Sequence, residues 1–255
     1  MSSDAFIHLA GVQKTYRTRG QEFLAVSDVT FDVAAGELVS LVGPSGCGKT
    51  TVLKILAGLH DYDEGTVQIG GGTETFDASR DIGMVFQQPV LLKWRRVLEN
   101  VLLPAELLGL PMKAARERGR HLLDMVGLSG NEEKYPYELS GGMQQRAAIA
   151  RSLVHDPKLI LMDEPFGALD ALTRERMNLE LLRIWRESGK TIVFVTHGIQ
   201  EAVFLGSRVV VLTAGPARMA DNFEVDLEHP RHLDVKTTSQ FGDYTRRIYR
   251  LLGME

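Results

Sequence analysis

The residues best suited to chemistry form one short stretch, Gly43-Pro44-Ser45-Gly46-Cys47-Gly48-Lys49-Thr50-Thr51, which fits the phosphate-loop pattern G-x-x-x-x-G-K-S/T. Its glycines let the backbone bend tightly, so that successive N–H groups can point at one anion. Lys49 can reach the β- and γ-phosphates of a nucleoside triphosphate. Thr50 can place its hydroxyl on Mg²⁺, and Thr51 can donate to the α-phosphate. The alternative is a chance glycine-rich turn.

The loop has the flanking elements that a phosphate site requires. Apolar residues 38–42 precede it and predict a buried strand, and residues 51–58 follow it and predict a helix. The positive end of that helix adds to the field of the loop N–H groups. This context favours a phosphate site over a chance turn.

A pair of carboxylates ends another apolar strand. Residues 158–162 are mainly apolar and are followed by Asp163 and Glu164. Charges at the end of a buried strand need a partner, because an unpaired charge is costly to desolvate. Mg²⁺ beside the phosphate loop is the natural partner of Asp163, directly or through water. Glu164 is then placed to accept a proton from an attacking water.

Two further apolar strands end in polar residues. Residues 82–86 are followed by Gln87, which can orient a water or help to bind Mg²⁺. Residues 190–196 are followed by His197, which can sense the γ-phosphate. A single glutamine or histidine at such a position is, by itself, weak support for a site. A lone histidine is more often structural.

A second glycine pair follows a helix-capping residue. Ser140 is a good N-cap, and Met143, Ala147, Ala150 and Val154 then share one helical face. The simpler interpretation is an ordinary capped helix. The functional interpretation is a second anion site, in which the Ser140 hydroxyl and the N–H groups of Gly141 and Gly142 grip a phosphate.

Tyr16 has two interpretations. It is either a half-buried aromatic residue of a strand or a flat surface on which a nucleotide base stacks. The nearby phosphate loop favours base stacking, which discriminates poorly among bases.

The sequence pattern changes after about residue 90. Strand-like runs vanish, Pro111 fits the first turn of a helix, and Gly127 suits its end. The arginines of this helix indicate a face exposed to solvent or, as the second interpretation, a surface that contacts another protein. Residues 88–110 are unusually apolar for a surface and predict a groove for a partner helix. We expect a helical subdomain over about 90–155, inserted into an α/β domain.

Bulk composition limits the class of protein. The chain has 255 residues, 44% of them hydrophobic and 24% charged, which is an ordinary soluble balance. A net charge of −4 gives no basic field for a nucleic acid, and a single cysteine allows no internal disulfide. No apolar run approaches the ~20 residues of a membrane span, and residues 1–10 lack the features of a signal peptide. We expect a cytosolic chain that reaches a membrane only through a partner.

These motifs, in this order, resemble the nucleotide-binding subunit of an ATP-binding cassette (ABC) transporter over nearly the whole chain. The resemblance includes the phosphate loop, Gln87, the signature Leu139–Met143, the Asp163-Glu164 pair, the Ala168–Asp170 loop and His197. Residues 91–101 are similar to the importer branch for nitrate, sulfonates and taurine, and residues 171–174 and His229-Pro230-Arg231 are weaker similarities to that branch. Gly198 and Lys93 depart from the usual residues of the family and of the branch.

The resemblance implies partners that composition does not show. Two such subunits, identical or similar, close head to tail around two ATP molecules, each held between one phosphate loop and the other signature. They drive a pair of membrane permease subunits from the cytoplasmic face of the membrane, and a solute-binding protein delivers the solute, here a small oxyanion such as nitrate, an aliphatic sulfonate or taurine.

We therefore expect an α/β fold with a mostly parallel core sheet, an N-terminal antiparallel β portion and the inserted helical subdomain. The chain is expected to be one cassette domain over 1–255, with a C-terminal extension over about 213–255. The expected function is ATP hydrolysis coupled to solute import. The alternatives are a soluble cassette ATPase that acts on nucleic acid or the ribosome, and a nucleotide-binding module that switches without turnover.

Overall fold

The computed structural model describes residues 5–18, 20–71 and 76–254. Residues 1–4, part of the segment assessed above for a signal peptide, lie outside the described residues. The chain divides into two compact units, one of Met1–Phe76 with Gly189–Glu255 and one of Asp77–Ser188. We call them the first and the second unit and describe each by itself.

The elements follow one another along the chain with short connections. The strands are β1 (Ala5–Thr18), β2 (Gln21–Ala34), β3 (Leu38–Val42), β4 (Glu64–Ile69), β5 (Ile82–Val85), β6 (Leu159–Asp163), β7 (Thr191–Thr196), β8 (Arg208–Leu212) and β9 (Met219–Glu224). The helices are α1 (Lys49–Leu56), α2 (Ala78–Asp81), α3 (Val97–Leu107), α4 (Met112–Met125), α5 (Gly141–Leu153), α6 (Ala171–Ser188), α7 (Ile199–Leu205) and α8 (Ser239–Leu251). Short 3-10 turns lie at Pro136–Glu138 and Leu233–Thr237.

An antiparallel sheet in the order β2-β1-β4 forms the N-terminal part of the first unit. In β2, the residues from Val29 to Val33 alternate between buried and exposed, as expected for a sheet with one face on the core. β1 extends to Thr18 and therefore includes Tyr16, so this residue lies on a strand, and its role in base stacking stays a prediction.

The remaining strands of the first unit belong to a second, mostly parallel sheet. β3 lies between β7 and β8 and runs parallel to both, and β9 adds an antiparallel edge to β8. Every residue of β3 and β7 is buried, as expected for parallel strands covered on both faces. Val42 is the partner of Thr196, so the residues that follow these two strands emerge at the same edge.

The second unit combines a parallel strand pair with helices. β5 pairs in parallel with β6, with Val85 opposite Met162. Helices α3, α4 and α5 pack on one another. The apolar faces predicted from helical spacing are buried. Ala115, Leu122 and Val126 are buried on α4 and its C-terminal cap, and Ala147 and Ala150 are buried on α5. The predicted α/β fold with its antiparallel N-terminal portion is thus confirmed, whereas the boundaries of the helical subdomain and of the C-terminal extension stay predictions.

A buried asparagine on α3 fixes the irregular segment before that helix. The Asn100 side chain has 0% exposure. Its Nδ2 donates to the carbonyl oxygens of Leu92, Arg95 and Arg96 at 3.1, 2.9 and 3.1 Å, and its Oδ1 accepts from the Leu92 N–H at 2.7 Å. One side chain therefore binds four backbone groups of this segment and of the start of α3.

We expect Asn100→Asp to lower the free energy of unfolding by about 3 kcal/mol, because a carboxylate cannot donate and would bury a charge against three carbonyl oxygens. Urea denaturation followed by the fluorescence of Trp94 and Trp185 measures this in the second unit. Asn131→Asp, at a half-exposed site, is the matched control and should cost much less. Equal losses in the two variants would contradict the interpretation.

Candidate functional site

The phosphate loop of the first unit has the backbone that glycine alone adopts freely. Gly46 and Gly48 have φ of 76° and 109°, in the left-handed region. A Cβ on Gly48 would lie 2.7 Å from the Ala25 carbonyl oxygen and 2.9 Å from Ala217 Cβ. Gly48 is also the N-cap of α1, so the loop passes directly into the helix N-terminus. The arrangement suits an anion held by backbone N–H groups.

The lysine of the loop lies inside its curve. Lys49 has 4% exposure. Its Nζ donates to the carbonyl oxygens of Gly43 and Pro44 at 2.8 and 2.9 Å. The charge is therefore held at the concave side of the backbone turn, where a phosphate group would meet it.

Tyr16 and Cys47 flank the loop. The Tyr16 hydroxyl lies 3.4 Å from Thr51 Oγ1, and its ring meets His60 edge-on, with centroids 5.8 Å apart. This half-buried strand residue therefore lies beside the first turn of α1. Cys47 has only 1% exposure, so its thiol is covered in this loop conformation.

His197 follows β7 at the same edge as the phosphate loop. Since Val42 is opposite Thr196, Gly43 and His197 are the next residues on neighbouring parallel strands. The Thr196 hydroxyl donates to Glu201 Oε2 at 2.5 Å and accepts from the Gly198 N–H at 2.9 Å. These bonds fix the turn from β7 into α7, and His197 is exposed within it.

Gln87 and Glu164 are brought together in the second unit, and Asp163 precedes Glu164 as the last residue of β6. Because Val85 is opposite Met162, Gln87 and Glu164 each lie two residues beyond paired positions of parallel strands. A Cβ built on Gly167 would be 3.8 Å from both Gln87 Nε2 and Glu164 Oε2, so the two side chains converge on one point. Glu164 has φ of 43°, which is uncommon for a residue with a side chain.

Sequence reasoning missed two residues that hold the loop after β5. Gln145 Nε2 donates to the Phe86 carbonyl oxygen at 3.1 Å. Arg151 donates to the carbonyl oxygens of Pro89 and Val90 at 2.7 and 2.8 Å. Both side chains come from α5, so the helix that begins at the signature also fixes the backbone on either side of Gln87. Burial lowers the pKa of Arg151. The sequence signal for both residues is that Gln145 and Arg151 are long polar side chains in a helix that contains many small residues.

The signature begins α5 in the predicted way. Ser140 is its N-cap, and the Ser140 hydroxyl accepts from the Met143 N–H at 3.3 Å. An open cavity of about 350 Å³ is lined by Ser140, Gly141, Gly142 and Gln87, among others. Asp170 also lines it, and hydrogen bonds from Thr173 hold the pKa of the Asp170 carboxyl below its ordinary value. An ordinary capped helix and a second anion site are therefore compatible interpretations of this segment.

Within the described ranges, no three His, Cys, Asp or Glu side chains are grouped so that they could hold a metal ion by themselves. None of the described helices is long and apolar enough to cross a membrane.

The loop, the carboxylate pair and the fold define an ATP-binding ATPase cassette. The family described as ABC transporter matches residues 26–167. The chain is 46% identical over 249 residues to an uncharacterized ABC transporter ATP-binding protein, MJ0412, of Methanocaldococcus jannaschii, covering 98% of this chain and 92% of that protein. The chain belongs to the ABC transporter family and is one of its ATPases.

Two relatives have more specific names. A taurine import ATP-binding protein, TauB, of Roseobacter denitrificans is 46% identical, covering 91% of this chain and 88% of that protein. An aliphatic sulfonates import ATP-binding protein, SsuB, of Bacillus cereus is 39% identical, covering 95% and 94%. Among solved structures, the dimeric post-hydrolysis state of the cassette MJ0796 with ADP and Pi matches with a TM-score of 0.75 and 35% identity, covering 87% of this chain and 100% of that one.

We expect the Cys47 thiol of the native protein to react with maleimide far more slowly than that of the urea-unfolded chain, because the loop covers it. Bound MgATP should slow the reaction further. Mass spectrometry of the labelled protein measures the rate, with Cys47→Ser as the background. Equal rates with and without nucleotide would contradict the placement of Cys47 in the ATP site.

Proposed function

We propose that this chain is the ATPase subunit of an importer for a small sulfonate such as taurine or an aliphatic sulfonate. The observation that carries the proposal is its identity of 46% and 39% to taurine and aliphatic-sulfonate import ATPases over more than nine-tenths of the chain. Nitrate, the third solute expected from the sequence, has no such support.

In the proposed site, residues 43–51 bind the triphosphate and Lys49 binds its β- and γ-phosphates. Tyr16 stacks on the base. Its position on β1, with its hydroxyl 3.4 Å from Thr51 Oγ1 in the first turn of α1, supports this role because it places the ring beside the phosphate loop. Little base specificity is expected from stacking alone.

Mg²⁺ is the proposed metal, held by Thr50, Gln87 and Asp163 together with phosphate oxygens. These residues offer hydroxyl, amide and carboxylate oxygens, the hard donors that Mg²⁺ prefers. Mg²⁺ commonly takes only one or two carboxylates and completes its shell with water and phosphates, which fits the lack of a three-carboxylate cluster in the described residues. When bound, it neutralises charge that develops on the phosphates.

Glu164 is the proposed general base and His197 the proposed γ-phosphate sensor. The convergence of Gln87 and Glu164 on the point beside Gly167 supports a shared water between them. Glu164 can accept a proton from that water, and the Gln87 amide can orient it. The exposed His197, at the sheet edge that bears the phosphate loop, is positioned to donate to a terminal phosphate.

A second copy or a similar subunit is proposed to complete each ATP site. The dimeric state of a cassette 35% identical to this one supports such an assembly. Ser140, Gly141 and Gly142 would then supply the hydroxyl and N–H donors to the partner's nucleotide, because the α5 N-terminus is open at the cavity they line.

The membrane partners are proposed to be permease subunits, engaged at the cytoplasmic face, with a solute-binding protein acting beyond them. Within the apolar stretch 88–110, Val90, Trp94 and Leu107 are 59%, 74% and 78% exposed. Exposed apolar side chains of this size suit a protein interface. Trp94 is therefore the residue with which docking is best tested.

We expect Glu164→Gln to keep ATP affinity and to lower turnover at least about a hundredfold, because the amide cannot accept the proton. Lys49→Ala should instead weaken ATP binding about ten- to a hundredfold. Phosphate release and fluorescent-ATP titration measure the two effects, and Glu228→Gln, at an exposed site, is the control. Normal turnover in Glu164→Gln would remove Glu164 from the base role.

For the importer itself, we expect affinity purification from the native membrane to recover a permease and a solute-binding protein that binds taurine or an alkanesulfonate. Trp94→Glu should lose the permease while ATP affinity is unchanged, since the substitution places a charge in the interface. Recovery with ribosomes or nucleic acid, and with no membrane protein, would instead support the soluble ATPase alternative.

A further inference from the structure

A buried arginine in the C-terminal part of the first unit binds the end of helix α7. Arg231 has 3% exposure. Its Nη1 donates to the carbonyl oxygens of Val203, Phe204 and Gly206 at 3.0, 2.9 and 2.9 Å. These carbonyls belong to the last turn and C-cap of α7, which have no partners within the helix. One guanidinium nitrogen therefore binds three carbonyl oxygens at the helix end.

The other edge of the same guanidinium binds the segment after β9. Nη2 donates to Val225 and Leu227 carbonyl oxygens at 3.2 and 3.5 Å, and Nε donates to Leu227 at 3.4 Å. The planar, five-donor fork is thus shared between the helix end and the C-terminal segment, which a compact ammonium group could not do.

The charge of Arg231 is held by carbonyl dipoles. In the described part of the chain, all its hydrogen bonds go to carbonyl oxygens. Burial lowers the pKa of Arg231 to about 10, so the group keeps its proton at neutral pH. A buried cation that lost these acceptors would be left unpaired in the protein interior, which is costly, so the hydrogen bonds hold as a set.

Helix α7 connects this anchor to the proposed phosphate sensor. α7 has seven residues and begins two positions after His197, so it spans only about 10 Å. At its first turn, Glu201 accepts from Thr196, which also binds the Gly198 N–H. So short a helix has few internal hydrogen bonds and depends on its packing and end contacts. A shift at its C-terminal end would therefore reach His197.

We propose that Arg231 is a positioning residue for His197 and acts through helix α7. The inference rests on the sensor role of His197 in the proposed function. Lys236, whose Nζ lies 4.5 Å from the ring centroid of Phe204 on α7, adds a second contact from the C-terminal segment. The C-terminal segment is thereby part of the hydrolysis machinery, as the support that fixes the helix behind the sensor.

The test compares Arg231→Met and Arg231→Lys in steady-state ATP hydrolysis. Arg231→Met should lower kcat about tenfold, because displacement of a catalytic group by a fraction of an ångström is enough for such a loss. KM for ATP should stay within about twofold, since the phosphate loop is untouched. Arg231→Lys should give an intermediate kcat, because one ammonium can serve only one edge.

Arg247→Met is the matched control. Arg247 pairs with Asp221 at 2.7 Å and lies 4.1 Å from the ring centroid of Phe223, so its loss removes an ion pair and a ring contact to β9 and none of the hydrogen bonds to α7. We expect its kcat to equal that of the wild type. An equal fall in kcat for Arg247→Met and Arg231→Met would overturn the proposal in favour of a general structural role.

A double-mutant cycle separates the inference from the function on which it rests. In a His197→Ala background, Arg231→Met should lower kcat no further, because its effect passes through the missing side chain. Full, multiplicative loss in that background, with His197→Ala itself impaired, would overturn the Arg231 proposal alone. Normal turnover of His197→Ala would instead refute the sensor role. If Arg231→Met does not fold, the same cycle with Arg231→Lys decides the question.

Discussion

Parallel strand pairing is the constraint on which the candidate site depends. Both strands of a parallel pair end at the same edge, so the residues after them are delivered side by side. The pairing of Val42 with Thr196 does this for the phosphate loop and His197, and that of Val85 with Met162 does it for Gln87 and Glu164. The chemistry therefore lies in loops, and the strands that fix these loops are almost wholly apolar.

Side chains outside the strands bind backbone carbonyl oxygens near these loops. Asn100 and Arg151 direct N–H groups to irregular segments, and Arg231 directs them to the end of α7 and to the segment after β9. A buried carbonyl without a donor costs about 1–3 kcal/mol, so each of these side chains strongly favours one loop conformation. It also follows that replacement of Arg151 or Arg231 by lysine is not conservative, because the spread of the donors matters more than the charge.

The difference between local sequence patterns and long-range hydrogen bonds explains what the sequence could predict. The phosphate loop, the Asp163-Glu164 pair and the signature are local patterns in which the residues that act together are adjacent, and the apolar runs around them were sufficient to predict the parallel strands. Arg231 and Asn100 were not predicted as anchors, because their partners are backbone carbonyls that no side-chain pattern marks. Helix α7 was also missed, since seven residues are too few to establish a helical period. Tyr16 was ambiguous because placement on a strand and proximity to the nucleotide are compatible.

Three described residues of the second unit other than glycine have positive φ: Asp156, in the turn between α5 and β6, and Val90 and Glu164, in the loops that follow β5 and β6. Val90 and Glu164 have φ of 46° and 43°, conformations that cost about 1–3 kcal/mol each and persist only where the surroundings enforce them. Arg151 binds the Val90 carbonyl, and the Gly167 N–H binds the Glu164 carbonyl at 3.1 Å. At Glu164 the left-handed turn ends the extended path of β6, so that its carboxylate and the Gln87 amide face one point. An extended residue there would continue the strand and separate the two groups, so the left-handed turn at Glu164 is what brings them together.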